Sequence, residues 1–231
     1  MALGEKVRKY IASDFHNGND APDYDRVMGF LDLVDDDADE FIITGDWEEL
    51  LWSNMDRVLK VKPYSHVTTK VREIAQKKPV KVIIGNHDWN LGLFSSYLEP
   101  AQVVSPFGED GIYFSHGHEW DILSVITGTP VDPIWWSVAF PFVFPTQLFL
   151  WLATKIWLGA KDEYNWAVGL INKGAVDYAK ARGYQTVIFG HTHFPQDVVQ
   201  NEVRLVNTGD MLDSYSYVVV ENSNIELRYF Q

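Results

Sequence analysis

The sequence predicts an α/β fold, in which buried strands form a sheet flanked by helices. Short apolar runs alternate along the chain with longer segments of helical spacing, the order typical of α/β sheets. The chain has 231 residues, 46% hydrophobic and 14% aromatic, which is enough to bury a sizeable core and unlike a disordered chain. Because no repeat or low-complexity linker divides the chain, we expect one domain over residues 1–231.

Five apolar runs are too short for helices and end in glycine or polar residues, so they are predicted to be buried strands. They are Lys9–Ser13, Phe41–Thr44, Val80–Ile84, Gly111–Ser115 and Thr186–Phe189. Helical spacing predicts helices in three segments between them, Asp25–Val34, Thr68–Gln76 and Tyr164–Ala181. Three C-terminal runs, Val203–Val206, Tyr217–Val220 and Ile225–Tyr229, predict a β-meander.

Composition and charge exclude several classes of protein. The absence of cysteine rules out disulfide scaffolds, thiolate zinc sites and cysteine nucleophiles. The net charge of −13 opposes the binding of a nucleic acid duplex, which we do not expect as a partner. The first 16 residues lack the apolar stretch of a secretory signal, so we expect a cytoplasmic protein.

One segment is unusually apolar. Residues 133–154 carry no charge, and four Trp and four Phe lie between Trp135 and Trp157. The length would suffice to span a bilayer, but Pro141 and Pro145 interrupt the segment. We expect residues 130–160 to form an apolar helical insertion, or lid, that lies on the domain or contacts a lipid surface. A buried hairpin and a true membrane span are the alternatives.

Five polar clusters follow predicted strands and contain six of the seven histidines. They are Asp14-Phe15-His16, Gly45-Asp46-Trp47-Glu48-Glu49, Gly85-Asn86-His87-Asp88, His116-Gly117-His118 and Gly190-His191-Thr192-His193. Ligands of open α/β sheets bind outside the carboxyl ends of strands, which is where these clusters are predicted to lie. Glycines at three of the clusters allow tight turns and a close approach of the backbone. These are Gly45, Gly85 and Gly190.

The donors in these clusters suit a metal site. Asp14 and His16, like His191 and His193, are two residues apart, so in extended chain each pair points to one side. Carboxylate, imidazole and amide donors without thiolate favour Mn²⁺, with Fe or Zn²⁺ as alternatives. Asp46 is predicted to bridge two cations about 3.5–4 Å apart.

The combined pattern D-x-H, G-D-x-x-[DE], G-N-H-[DE], H and G-H-x-H resembles the motifs of the calcineurin-like metallophosphoesterase superfamily, over residues 9 to 210. The resemblance implies a four-layer α/β/β/α sandwich and a metal-dependent phosphoesterase with two divalent cations. It implies that one cation is held by Asp14, His16, Asp46 and His193. The other would be held by Asp46, Asn86, His116 and His191.

The expected reaction is hydrolysis of a phosphoester or pyrophosphate bond by in-line attack of metal-bound hydroxide. The residues expected to be catalytic are Asp46, Asn86 and His87. His87 is placed to protonate the leaving oxygen, and Glu49 or Asp88 is expected to orient its imidazole. His118 is expected to contact the metal ligands without binding a metal itself.

A narrower resemblance concerns the substrate. Gly-Asp-Trp-Glu-Glu-Leu-Leu-Trp is similar to a motif of the UDP-2,3-diacylglucosamine pyrophosphohydrolases, which also have an apolar insertion where residues 133–158 stand here. The similarity implies a lipid-like or amphiphilic substrate, such as a UDP-diacylglucosamine-type pyrophosphate, and peripheral contact with the inner membrane face. The residues expected to contact this substrate are Lys155, Lys161, Lys173, Trp135 and Trp136.

A second enzyme class stays open. His87 stands where that narrower family commonly has Arg, and Gly-Asn-His-Asp matches the wider superfamily instead. The alternative is a phosphodiesterase or phosphatase for small soluble substrates, such as nucleotides, with the apolar insertion as an oligomer interface. A binding module that has lost its metals fits less well, because every ligand position of the motifs is filled.

Overall fold

The computed structural model describes residues 7–121 and 160–231, so Trp135, Trp136, Lys155 and nearly all of the predicted apolar insertion lie outside the described residues. The first part contains β1 (Arg8–Ala12), α1 (Tyr24–Asp37), β2 (Glu40–Thr44), α2 (Met55–Lys60), α3 (Tyr64–Ala75), β3 (Val80–Ile83), α4 (Leu91–Phe94), β4 (Gln102–Val104), β5 (Phe107–Glu109) and β6 (Ile112–Phe114). The second part contains α5 (Ala160–Arg182), β7 (Thr186–Phe189), β8 (Gln196–Gln200), β9 (Val203–Asn207), β10 (Ser216–Glu221) and β11 (Asn224–Tyr229).

The strands form two sheets. The first has the order β11-β10-β1-β2-β3-β4, in which β1 to β4 are parallel and the β10–β11 hairpin pairs antiparallel to β1. The second has the order β5-β6-β7-β9-β8, with β6, β7 and β9 parallel and the two outer strands antiparallel. Each sheet therefore has parallel strands at its centre.

Side chains on alternate sides of the strands form three separate apolar layers. On β2, Phe41 and Ile43 pack against α1 and α3, while Ile42 faces the second sheet. On β7, Ile188 faces the first sheet, whereas Val187 and Phe189 pack against α5. Because successive side chains of a strand point to opposite faces, each sheet buries both of its faces. The result is the predicted four-layer α/β/β/α sandwich.

The strands and helices named in the sequence analysis are present, and their ends differ by at most a few residues. Three strands, β4, β5 and β8, were not predicted, because none of them is a continuous run of buried apolar residues. The predicted C-terminal meander is wrong in its pairing: β9 lies in the second sheet beside β7, whereas β10 and β11 lie in the first. No helix in the described parts of the chain has the length and apolarity needed to cross a membrane.

Candidate metal centre

Loops from both sheets converge at one edge of the sandwich. Asp14 follows β1, Asp46 follows β2 and Asn86 follows β3, while His116 and His191 follow β6 and β7 of the other sheet. The carboxyl ends of parallel strands lie at the same edge of a sheet, which brings these side chains together. Three groups of donor atoms result, and the atoms of each group lie within 4.8 Å of one another. They are Asp14, His16 and His193 (the first donor group), Asp46, His116 and His191 (the second donor group), and His16, Asp46 and His87 (the third donor group).

The backbone of these loops is strained. Five site residues that are not glycine have a positive φ: Asp14 (55°), His16 (47°), Asp46 (51°), His191 (68°) and His193 (54°). Such conformations cost of order 1 kcal/mol or more each, and they cluster at functional sites. Hydrogen bonds between loops hold this geometry, because Asp14 N donates to Gly45 O at 3.1 Å and His16 N donates to Asp46 O at 3.0 Å.

Glycines let the loops approach closely, as the sequence predicted. Gly45 has a φ of +95°, and a Cβ there would lie 2.3 Å from His116 Nδ1. A Cβ at Gly85 would lie 2.1 Å from Asp46 Oδ1. Any larger residue at either position would displace a side chain of the donor groups.

The first donor group has the spacing that a cation requires. His16 Nε2 lies 3.3 Å from His193 Nε2, and His193 Nε2 lies 3.3 Å from Asp14 Oδ1. Atoms that share a cation at about 2.1 Å lie roughly 3 Å or slightly more apart. Asp14 Oδ1 is also buried without a hydrogen-bond partner among the described residues. A buried carboxylate oxygen of this kind needs a compensating charge, which a metal ion would supply.

The second donor group is centred on His116. Its Nε2 lies 3.2 Å from Asp46 Oδ2 and 3.0 Å from Asn86 Oδ1. His191 completes the group, with its ring 5.1 Å from that of His116. Asp46 also reaches the first group, because its Oδ2 lies 3.8 Å from His16 Nε2. The carboxylate of Asp46 thus stands between the two groups, where a bridging ligand would be.

Three of the histidines have their second ring nitrogen bound to an oxygen. His16 Nδ1 lies 3.1 Å from Glu49 Oε2, His116 Nδ1 lies 2.8 Å from the Thr44 carbonyl, and His193 Nδ1 lies 3.2 Å from Asp210 Oδ2. Each oxygen can accept a hydrogen bond from Nδ1–H, and the lone pair of Nε2 then faces the donor group where a metal would bind. Metal-binding histidines commonly have this arrangement.

The site strongly favours positive charge. Burial lowers the pKa of His116, but the charge and hydrogen bond of Asp46, together with Asp14 and the Thr44 carbonyl, raise it to about 10. Burial likewise opposes the charge of His193, whose pKa Asp14 and Asp210 nevertheless raise to about 9. Carboxylates that hold protons on buried imidazoles would bind divalent cations at the same place. The donor set therefore fits two metal ions.

His87 lies beside the first and second donor groups, belongs to the third, and is held by Glu49. Its Nδ1 lies 3.0 Å from both carboxylate oxygens of Glu49, and its ring contacts that of His16 with centroids 4.5 Å apart. Burial would lower the pKa of His87, but Asp46 and Glu49 raise it above its ordinary value.

Asp88 has a different role from the one considered in the sequence analysis. Its Oδ1 accepts from Gly85 N at 2.6 Å, and its Oδ2 accepts from Trp47 N at 2.8 Å. These bonds tie the loop after β3 to the loop after β2. Of the two carboxylates expected to orient His87, Glu49 is the one that contacts its ring.

The remaining candidate residues are His118, which is close to the histidines of the second donor group, two lysines of α5, and residues that lie outside the described parts of the chain. His118 is buried, with its ring 5.4 Å from that of His116 and 6.3 Å from that of His191. Lys161 lies in the first turn of α5. Lys173, also on α5, is 69% exposed and pairs with Asp177 at 2.7 Å. The substrate contacts assigned to the lysines and to Trp135 and Trp136 stay predictions.

Asp210 was missed by the sequence analysis. It ends the polar run Asn207-Thr208-Gly209-Asp210, which begins at the end of β9 and resembles the other clusters in its position. Because this run contains no histidine, the pattern of metal donors did not include it. Its position after a central strand was the signal that could have found it.

Comparisons with known proteins agree with this geometry. The sequence model of the calcineurin-like phosphoesterase family matches residues 7–195. A UDP-2,3-diacylglucosamine hydrolase of Shewanella baltica (strain OS185) is 26% identical over 241 residues, which cover 96% of this chain and 97% of that protein.

Two solved structures are similar over nearly the whole chain. One is a novel archaeal phosphodiesterase, with 15% identity and a TM-score of 0.49 over 96% of this chain and 99% of that one. The other is Yfce, a phosphoesterase from E. coli, with 16% identity and a TM-score of 0.48 over 97% of this chain and 100% of that one. From the family match over most of its length, this chain belongs to the calcineurin-like phosphoesterases and is a metal-dependent phosphoesterase.

Proposed function

We propose that this protein hydrolyses a phosphoester or pyrophosphate bond in a lipid-like substrate, with a UDP-diacylglucosamine-type pyrophosphate as the first candidate. The relative from Shewanella baltica, matched over nearly the full length of both chains, supports this substrate class. The uncharged segment 133–154 supplies the apolar residues that acyl chains would contact. The same segment supports our proposal that the protein works on the cytoplasmic side of a membrane and touches its surface.

The observation that carries the proposal is the position at which the described chain ends before this apolar segment. His116 belongs to the second donor group, and the buried turn His118–Trp120 follows it directly. Asp121 is the last described residue before the segment. The helix after the segment packs on the same turn, since a Cβ at Gly174 of α5 would lie 2.7 Å from Trp120 Cβ. The described chain before the apolar segment therefore ends next to the metal donors.

The donors named above can hold the cations, and neighbouring side chains can do the acid–base work. Two divalent cations, with Mn²⁺ favoured, would supply polarisation of the phosphoryl group and activation of the attacking water. Glu49 holds Nδ1 of His87, which leaves Nε2 to give a proton to the leaving oxygen. Asp46 Oδ1 accepts from His87 N at 2.8 Å, so the loop that carries this acid is tied to the bridging carboxylate.

A substrate comparison tests the proposal. Purified protein with Mn²⁺ is assayed on UDP-diacylglucosamine in detergent micelles, on UDP-N-acetylglucosamine and on bis-p-nitrophenyl phosphate. We expect kcat/KM for the diacylated substrate to exceed that for its soluble analogue by about 100-fold or more, because only the former carries apolar chains to bury. Mass spectrometry should find UMP and the diacylated sugar phosphate as products. Asp46→Ala, prepared in parallel, controls for a contaminating hydrolase.

The opposite outcome favours the other enzyme class. Equal or faster hydrolysis of the soluble nucleotide, independent of detergent, would refute a lipid-like substrate. It would indicate a phosphodiesterase or phosphatase for small molecules, with the apolar segment as an oligomer interface. The molar mass in solution would then be the next measurement.

A further inference from the structure

Asp210 uses its two carboxylate oxygens for different partners. Oδ1 accepts from three backbone N–H groups, those of Leu212 (3.1 Å), Asp213 (2.8 Å) and Ser214 (2.9 Å). Oδ2 lies 3.2 Å from Nδ1 of His193. The side chain is almost fully buried, so this geometry is not shared with solvent. One oxygen therefore fixes the loop after β9, and the other is left for the imidazole.

The partner on Nδ1 determines which nitrogen of His193 carries the proton. A carboxylate oxygen can only accept, so Nδ1 keeps its proton and donates it, and the lone pair of Nε2 is the one that a cation in the first donor group can take. Nε2 is the atom that lies 3.3 Å from both Asp14 Oδ1 and His16 Nε2. His193 can bind a cation in the first donor group only in this tautomer.

We propose that Asp210 is a positioning residue for the metal centre, which holds His193 in the tautomer and orientation that bind the cation. The proposal concerns the metal centre alone and does not depend on which phosphoester is the substrate. Neither the motif pattern nor the family match assigns a role to Asp210, since the matched residues end at 195. A carboxylate behind a metal-binding histidine typically raises metal affinity by 10- to 100-fold.

Asp210→Asn separates the two roles of the carboxylate. Asparagine has the same shape, and its carbonyl oxygen can accept from the same three backbone N–H groups. Its amide nitrogen then faces His193 Nδ1 and donates to it, which forces the proton of the ring onto Nε2. The reverse orientation of the amide would set its NH₂ group against three N–H donors, so the loop selects the first orientation.

The test is a Mn²⁺ titration of the metal-free protein by calorimetry, with thermal unfolding as a check that each variant folds. We expect Asp210→Asn to weaken binding of one Mn²⁺ equivalent by about 10- to 100-fold and to leave the other within severalfold. Ser214→Ala is the matched control, because it removes the hydroxyl that contacts Asp210 but leaves the contact with His193. Its affinities should stay within about twofold of the wild type.

A spectroscopic measurement reports the tautomer itself. In the Zn²⁺-loaded wild-type protein, ¹⁵N NMR of labelled histidine should show the proton of His193 on Nδ1. Unchanged Mn²⁺ affinity in Asp210→Asn would overturn the proposal, and so would an equal loss in Ser214→Ala, which would trace the effect to the loop. A proton-free Nδ1 in wild-type His193 would overturn it even if Asp210→Asn does not fold.

Discussion

At the scale of single residues, the site depends on histidines whose two ring nitrogens have different partners. His16 and His116 each bind an oxygen through Nδ1 and face the donor groups through Nε2. The residues next to the donors in sequence point into the core instead. Phe15 and Trp47 are buried between the first sheet and helices α1 and α3, with ring centroids 4.9 Å apart. Packing of the alternate residues thus holds the donors rigid.

Asp46 should be essential, because its carboxylate stands between the two donor groups. We expect Asp46→Ala to abolish hydrolysis of bis-p-nitrophenyl phosphate and to leave less than about one metal equivalent bound. Metal content is measured by mass spectrometry after dialysis, together with activity. A variant that keeps two metals and full turnover would refute the assignment.

His87 should act on the substrate without holding a metal. Because its Nδ1 is bound by Glu49, we expect His87→Ala to lower kcat by roughly 10²–10⁴ while both metals stay bound. The measurement combines steady-state kinetics with metal analysis. His87 lies close to His16 and Asp46, so the metal analysis is a necessary control. A loss of metal in His87→Ala would show that His87 is itself a ligand.

At the scale of elements, the site depends on how closely the ends of β2 and β3 approach. Gly85→Ala would place a methyl group against Asp46 Oδ1 and the Asp46 amide, so we expect stability to fall by about 1–3 kcal/mol and metal affinity to fall with it. Gly169→Ala, on α5 with no described atom within 4 Å of the new Cβ, should instead stabilise by about 0.5–1 kcal/mol. Urea unfolding compares the stabilities of the two variants. Equal effects on stability would contradict the close approach of the ends of β2 and β3.

Helices α1 and α3 are joined by a charge cluster around Asp35. Its carboxylate binds Lys77 at 2.7 Å and Lys70 at 3.0 Å. The hydrogen bond from Lys77 lowers the pKa of Asp35 despite the opposing effect of burial, and Lys70 lowers it further. A carboxyl whose pKa is lowered by folding stabilises the fold above its unfolded pKa and loses that contribution as the pH falls.

We therefore expect Asp35→Asn to lower the free energy of unfolding at pH 7 by about 1 kcal/mol. The difference from wild type should shrink as the pH falls below about 4, where the carboxyl of the unfolded chain takes up its proton, and should vanish once the pH is below the lowered pKa of the folded state. Urea unfolding at several pH values measures this. Asp36→Asn, on the exposed side of the same helix, is the control and should change stability by less than about 0.5 kcal/mol. If Asp35→Asn remains less stable than wild type at low pH, the lost stability would come from packing rather than from charge.

At the scale of the whole molecule, the sequence predicted the features that short stretches of the chain determine by themselves. Short apolar runs such as Thr186–Phe189 identified the strands at the centres of both sheets, and polar residues after them identified the donors. The motif resemblance supplied the four layers. Local patterns suffice here because buried parallel strands are continuous apolar runs that end at one edge.

What the sequence did not predict depends on contacts between distant parts of the chain. Asp210 binds His193, 17 residues away, at the open end of the β8–β9 hairpin, and its own cluster contains no histidine that would mark a metal site. Asp88 stands next to His87 in sequence, yet its oxygens are bound by backbone amides. The separation of β9 from β10 into different sheets likewise depends on tertiary pairing rather than on the runs themselves.

The central claim is that loops from both sheets hold two cations around Asp46. Anomalous scattering from crystals grown with Mn²⁺ tests it most directly. We predict two peaks about 3.5–4 Å apart, with Asp46 contacting both, His16 and His193 at the first and His116 and His191 at the second. A single peak, or none beside Asp46, would contradict the account.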